Sequence, residues 1–179
     1  FGRLKQQGLL AELLVLKDNL IPNYGVDKAL EMWQGPKGAK QDFILPESWV
    51  EVKSTNLGKR EIHISSLEQL DSPISDGELS VVTFQESNAY DANAICLSTV
   101  IDEIESELTD DLIAIDFKEK LLLVGYGQNK ENELYFRICG IEHYRVNEEF
   151  PKIKRNELSA AITKVSYTLN LEAISNFKI

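Results

Sequence analysis

The stretch QDFILPESWVEVKST, residues 41–55, decides the fold. Its two largely apolar runs, 41–45 and 49–54, are separated by Pro-Glu-Ser, and this pattern predicts two strands joined by a tight turn. A strand in a sheet is usually buried on at least one face, so most of its inward side chains are uncharged. These two strands nevertheless contain three charged residues: Asp42, Glu51 and Lys53. The three charges are therefore the first candidates for a functional site.

Strand geometry predicts that these charges lie close together. Side chains alternate between the faces of a strand, so Glu51 and Lys53 share a face with Trp49, and the turn brings Asp42 close to Glu51. Two carboxylates held together repel each other unless a cation joins them. Oxygen ligands favour Mg²⁺ or Mn²⁺, and Mg²⁺ commonly combines one or two carboxylates with water and substrate phosphates. The same charges also fit a surface hairpin with weak ion pairs, and this alternative stays open.

The first helix adds a further acidic residue. Leucines at 9, 13, 16 and 20 give residues 4–20 the spacing of an amphipathic helix, and Glu12 falls on its apolar side. A buried carboxylate is costly unless it is paired or binds a cation. Glu12 is therefore a candidate for the same site, although a glutamate at the edge of the apolar stripe can also extend to water.

The order of elements predicts an α/β (α+β) fold with a mixed sheet flanked by helices. We expect one domain over residues 1–179, with a core over about 4–100 and an α+β extension over about 101–179. Because the chain does not begin with Met, we also expect it to be a fragment of a longer protein. The further predicted elements are helices at 26–34, 65–70, 97–108 and 110–121, and strands at 61–64, 78–85, 133–146 (bent near Gly140) and 163–171.

The charge of the chain is unevenly distributed. The net charge is −10, but residues 1–60 carry nine Lys/Arg and seven Asp/Glu, whereas the remaining residues carry ten and twenty-two. A phosphate-containing partner is therefore expected to approach the first 60 residues. No apolar run approaches the roughly 20 residues of a membrane span, so no membrane association is expected. Cys96 and Cys139 are predicted to be buried free thiols in a reducing compartment, which favours the cytoplasm.

The spacing D-x8-E-V-K, from Asp42 to Lys53, resembles the core motif of the PD-(D/E)XK phosphodiesterase superfamily. The order of elements likewise resembles its restriction-endonuclease-like core (αβββαβ). Four segments together resemble a bacterial family of PD-(D/E)XK motif proteins, most densely over residues 8–70: GLLAELLVLKDNLIP, W-x-GPKGAKQDFIL, VEVKST and ISSLEQL.

This resemblance implies roles for particular residues. Asp42 and Glu51 would bind the metal, the Val52 carbonyl would add a third oxygen, and Lys53 would act on the attacking water. Glu12 would match a helix-one glutamate that often reaches the metal through water. Gln69 would support the lysine or the substrate, but it fits an exposed helix residue equally well. Gln41 replaces the usual proline before Asp42, a departure shared by many active members.

Two basic segments are candidates for contact with a nucleic-acid backbone. GPKGAK contains Lys37 and Lys40 just before the hairpin, and PKIKRNE (151–157) is a basic patch, but each also fits an ordinary solvated loop. The resulting functional prediction is a Mg²⁺- or Mn²⁺-dependent endonuclease, with DNA favoured, in a bacterial restriction or phage-defence setting. The alternative is a non-catalytic nucleic-acid-binding or scaffolding subunit of a larger defence or repair assembly. A homodimer or additional partner subunits are compatible with both.

Overall fold

The computed structural model of the protein describes residues 1–74, 76–127 and 132–179. The helices are α1 (Arg3–Val15), α2 (Ile21–Tyr24), α3 (Val26–Met32), α4 (Leu97–Glu107) and α5 (Asp111–Leu123). The strands are β1 (Phe43–Ile44), β2 (Trp49–Asn56), β3 (Glu61–Ile64), β4 (Gly77–Ser87), β5 (Tyr135–Val146) and β6 (Tyr167–Asn170). A π-helical segment, Leu16–Leu20, joins α1 to α2.

Four of the strands form a mixed sheet in the order β1-β2-β4-β5. β1 and β2 are antiparallel, β2 and β4 are parallel, and β4 and β5 are antiparallel. Helix α1 packs against β2. This arrangement confirms the predicted α+β class and is compatible with a restriction-endonuclease-like core. The predicted bend of β5 near Gly140 is also present, as a register shift where β5 pairs with Thr83 and Phe84.

The connection between β2 and β4 differs from the prediction. β3 does not join the four-stranded sheet but forms a separate two-stranded sheet with β6, so the predicted αβββ order does not describe one continuous sheet. The helix predicted at 65–70 is a single 3₁₀ turn, Leu67–Gln69. The backbone N–H and the hydroxyl of Ser65 both donate to Gln69 Oε1, and this local bonding replaces the expected helical cap.

Apolar side chains on the two faces of the sheet pack into two separate cores. Val50 and Val52 of β2 pack in the core that contains α1, α4 and α5. Trp49 packs in the other core, with residues of β3 and β6. Its ring lies directly against Gly77, where a Cβ would be only 2.0 Å from Trp49 Cε2, so this position requires glycine. Trp49 therefore fixes the start of β2, from which Glu51 and Lys53 project.

Two smaller predictions need correction. The first strand was expected over 41–45, but β1 is only two residues long. Cys96 is a buried free thiol as predicted, whereas Cys139 is free but exposed, at the bulge of the edge strand β5. Among the helices in the described ranges, none has the length and apolar character needed to cross a membrane.

Candidate active site

The first two strands place Asp42 opposite Glu51. Phe43 pairs with Val50 in antiparallel register, so the residue before Phe43 faces the residue after Val50. The backbone N–H of Val52 donates a 2.7 Å hydrogen bond to Asp42 Oδ2 and fixes the carboxylate against β2. Burial raises the pKa of the Asp42 carboxyl, although this hydrogen bond opposes the rise.

The turn before β1 holds the backbone of Asp42. The N–H groups of Gln34 and Gly35 both donate 2.9 Å hydrogen bonds to the Asp42 carbonyl oxygen. A Cβ on Gly35 would lie 3.0 Å from Asp42 Oδ1 and 3.2 Å from its Cα. Any larger residue at position 35 would therefore displace the carboxylate.

Glu51 is a buried carboxylate with one unused oxygen. Its side chain is 1% exposed, and Lys53 Nζ donates a 2.7 Å hydrogen bond to Oε1. Oε2 is buried and has no partner among the described protein atoms. Burial, together with the nearby Asp42, raises the pKa of Glu51 to about 8, because the attraction of Lys53 is too weak to offset them. The protein thus holds an acidic oxygen out of water without a protein partner for it.

Glu12 reaches the same place from α1. Trp33 Nε1 donates a 2.8 Å hydrogen bond to Glu12 Oε2. Burial and the charge of Asp42 raise the pKa of Glu12 well above its usual value, with Glu51 adding to the rise and Lys53 opposing it. Such interactions between charges require proximity. The structure therefore places the four side chains that the sequence singled out on α1, β2 and the start of the hairpin near enough to influence one another's charge.

The carboxylate oxygens of Asp42 and Glu51 are of the type that suits a divalent cation with few protein ligands. In the described part of the chain, no group of three Asp, Glu, His or Cys side chains is arranged as a metal site. Asp42 and Glu51 nevertheless provide hard oxygen ligands, and Glu51 Oε2 lacks any other partner. Mg²⁺ is commonly bound by one or two carboxylates and completed by water and phosphate oxygens. Metal binding by Asp42 and Glu51 stays a prediction, as does participation of Glu12 and of the Val52 carbonyl.

A comparison with protein families agrees with this site. Residues 2–172 match the family described as "Putative PD-(D/E)XK family member, (DUF4420)". The chain belongs to this family. Searches of curated proteins and of solved structures give no significant match. Membership confirms the resemblance drawn from Asp42, Glu51 and Lys53 and supports a nuclease-like fold.

Three further predicted residues differ in their surroundings: Gln69, predicted from the PD-(D/E)XK resemblance, and Lys37 and Lys40, predicted from the basic segment before the hairpin. Gln69 Oε1 accepts hydrogen bonds from the backbone N–H and the hydroxyl of Ser65, so this oxygen is engaged within its own turn. Lys37 forms a 2.6 Å ion pair with Asp116 of α5. Lys40 is exposed and makes no side-chain hydrogen bond or ion pair with the residues that the structure describes. Of the two lysines, Lys40 is the one available to a ligand.

Helix α5 supports the site of this PD-(D/E)XK protein, and the sequence did not reveal it. Lys120 is fully buried and donates to the Leu30 carbonyl at 2.5 Å and to Asp116 Oδ2 at 2.9 Å. Phe117 packs on Trp33, with ring centroids 5.9 Å apart. These contacts hold the segment that provides the donors to Glu12 and Asp42. The only sequence signal was a lysine followed directly by three leucines, which also fits a surface helix.

A second polar cluster has a structural role. His143 Nδ1 lies 2.6 Å from Glu78 Oε1 and 2.9 Å from Ser80 Oγ. A catalytic Ser-His-acid triad uses opposite nitrogens of the imidazole for its serine and its acid. Here both partners contact the same nitrogen and Ser80 is fully buried, so the cluster joins β4 to β5.

Proposed function

We propose that this PD-(D/E)XK protein is a metal-dependent nuclease that hydrolyses phosphodiester bonds, with DNA as the favoured substrate. The observation that carries the proposal is the buried Glu51 carboxylate, which leaves Oε2 unpaired beside Asp42 and binds Lys53 through its other oxygen. A purely structural ion pair would satisfy both oxygens, because an unpaired buried polar atom costs about 1–3 kcal/mol.

Each side chain has a distinct task in this proposal. Asp42 and Glu51 hold a Mg²⁺ or Mn²⁺ ion, which would neutralise charge on the scissile phosphate and lower the pKa of a bound water. Lys53, with 16% of its side chain exposed, has its ammonium next to these carboxylates and orients the attacking water or a phosphate oxygen. Trp33 keeps Glu12 directed towards the same point.

The experiment that tests this function is a cleavage assay on DNA and RNA oligonucleotides with Mg²⁺ or Mn²⁺. Asp42→Asn and Glu51→Gln are each expected to reduce cleavage by roughly 10²–10³-fold, the usual cost of removing one electrostatic contribution in a catalytic site. Glu47→Gln is the matched control, because Glu47 is exposed in the hairpin turn. Cleavage that persists in a chelator, or in both site variants, would reject the assignment.

The non-catalytic alternative is favoured by one property, the net charge of −10, since a chain with this charge is expected to bind DNA weakly. Mn²⁺ binding by calorimetry separates the two functions. A nuclease requires binding that Asp42→Asn weakens, whereas a scaffolding subunit requires no such ion. The predicted restriction or phage-defence setting, the cytoplasmic location and any homodimer stay predictions.

A further inference from the structure

A pocket lies next to the proposed active site, and no step of the proposed hydrolysis uses it. This side pocket has a volume of about 330 Å³. It is lined by Lys40, Gln41, Leu67, Glu68, Asp71, Pro73 and Arg155. Lys40 and Gln41 directly precede Asp42 in the chain. The side pocket therefore borders the segment that leads into Asp42, one of the proposed metal ligands.

The floor of the side pocket is fixed by the protein itself. Gln41 is 6% exposed, and its amide nitrogen donates to the Glu68 carbonyl. This bond ties the residue before Asp42 to the 3₁₀ turn Leu67–Gln69. On the other side, the Arg155 backbone N–H donates a 2.8 Å hydrogen bond to Asp71 Oδ2. The side pocket is thus built between segments that are held together by hydrogen bonds.

The lining combines apolar walls with a charged edge. Leu67 and Pro73 provide apolar surface, and the carboxylates of Glu68 and Asp71 provide hydrogen-bond acceptors. Cationic side chains come from Lys40, which is exposed, and from Arg155, which belongs to the basic patch 151–157. Apolar surface with a few polar groups and a volume of at least about 300 Å³ is typical of pockets that bind small organic groups.

These features match the chemistry of one nucleotide. A nucleobase has two apolar ring faces and an edge of N–H donors, and it is joined to an anionic phosphate. We propose that the side pocket receives one nucleobase of the bound strand, unstacked from its neighbours, while Lys40 contacts that strand's backbone. This inference rests on the proposed nuclease function and specifies how its substrate would bind.

The test uses oligonucleotides in which a single abasic site is moved one position at a time past the cleavage point. Loss of the base that would occupy the side pocket is expected to weaken binding by about tenfold at one position only, because its apolar burial in the pocket is lost. Binding is measured in a chelator by fluorescence anisotropy, so that the readout does not depend on cleavage. Pro73→Glu, at an exposed position, places a carboxylate at the pocket wall. It should weaken binding of the intact strand about tenfold and abolish the sensitivity to the abasic site.

A second variant keeps the test decisive if Pro73→Glu alters folding. Lys40→Glu should weaken binding more than Lys59→Glu, its matched control, because both lysines are exposed and both changes alter the net charge equally. Equal affinity for all abasic oligonucleotides, or equal effects of the two lysine variants, would overturn the proposal. A Pro73→Glu change that alters the oligomeric state but not strand binding would instead identify a protein interface.

The two proposals fail in distinguishable ways. Metal-dependent cleavage by the wild-type protein, with no effect of any abasic site or of Pro73→Glu, rejects the side pocket and leaves the nuclease intact. An absence of both cleavage and strand binding by the wild-type protein rejects the proposed function and the base-binding pocket together.

Discussion

Two lysines with little or no exposed side chain each pair with a carboxylate, and the two pairs differ in whether both carboxylate oxygens have a protein partner. Lys120 is fully buried, and both oxygens of its partner Asp116 are occupied, one by Lys120 and one by Lys37. Lys53 is also largely buried, but its partner Glu51 keeps one oxygen without a partner. Both oxygens of Asp116 have protein partners, whereas Glu51 Oε2 has none among the described residues.

The pKa values of the two acids change in opposite directions. Partial burial tends to raise the pKa of Asp116, but the hydrogen bonds from Lys37 and Lys120 lower it overall. Burial and Asp42 raise the pKa of Glu51 to about 8 despite its lysine. A satisfied ion pair stabilises its own charges, whereas an unsatisfied one is ready for a further cation. The comparison therefore distinguishes a pair that is complete within the described protein from the pair proposed to function in catalysis.

The largest difference is expected in catalysis. Lys53→Met should reduce cleavage by roughly 10²–10³-fold, because it removes a charged group beside the scissile phosphate. The measurement is the single-turnover rate on a DNA oligonucleotide, with thermal unfolding as a check of the fold. The exposed Lys59 provides the control Lys59→Met, which should retain the wild-type rate. A Lys53→Met protein as active as the control would remove Lys53 from the site.

An added divalent cation should stabilise the protein through the Glu51–Lys53 pair and not through the Asp116–Lys120 pair. At about 100 times the dissociation constant, Mn²⁺ is expected to stabilise the wild-type protein by about 2.7 kcal/mol. Glu51→Gln should lose this stabilisation. Its metal-free form should be at least as stable as the wild type, since the change removes the cost of burying an acid whose pKa folding raises to about 8. Chemical denaturation with and without Mn²⁺ measures both effects. Equal stabilisation of both proteins by Mn²⁺ would place the ion elsewhere.

Loss of the Lys120–Asp116 pair should instead lower the stability of the folded protein. Lys120→Met is expected to lower the free energy of unfolding by about 2 kcal/mol, because the buried Leu30 carbonyl loses its side-chain donor. Lys53→Met should lower it by less than about 1 kcal/mol, since Glu51, with its pKa already raised to about 8, can take up a proton and does not remain as a buried unpaired charge. Urea denaturation compares the two variants. The comparison fails if Lys53→Met is the more destabilising change.

The smallest expected effect is a pH dependence. An acid whose pKa is lowered by folding stabilises the protein above its unfolded-state pKa, and this contribution disappears as the pH falls through the folded-state value. Asp116 is such an acid. Asp116→Asn should therefore be less stable than the wild type by about 1 kcal/mol near neutral pH, and the two should converge below about pH 4. Urea denaturation across this range tests it, and a difference that stays constant in acid would contradict it.

The sequence predicted the parts of the site that depend on local geometry. Asp42, Glu51 and Lys53 are related by one tight turn and by strand alternation, both of which act over a few residues. Glu12 could be placed because a helix repeats every 3.6 residues and its neighbouring leucines define the buried side. The structure brings these four residues together.

Contacts between distant segments could not be predicted in this way. Trp33, which follows α3, contacts Glu12 of α1, and Lys120 of α5 contacts Leu30 within α3. The pairing of β3 with β6 could not be predicted for the same reason, since nothing in Glu61–Ile64 specifies a partner so distant in the sequence. The helix predicted at 65–70 is only a 3₁₀ turn, because the Ser65 N–H donates to Gln69 Oε1 in a local hydrogen bond that competes with helix formation.

The pairing of β3 with β6 also has a consequence for biosynthesis. Glu61 pairs with Asn170, so β3 leaves the ribosome long before its partner strand has been made. At about 5–20 residues per second, this interval lasts roughly 5–20 seconds. During that time the nascent chain has the Asp42–Lys53 hairpin but lacks the strand that completes the β3–β6 sheet. The order of translation therefore delays completion of this part of the fold until β6 has been translated.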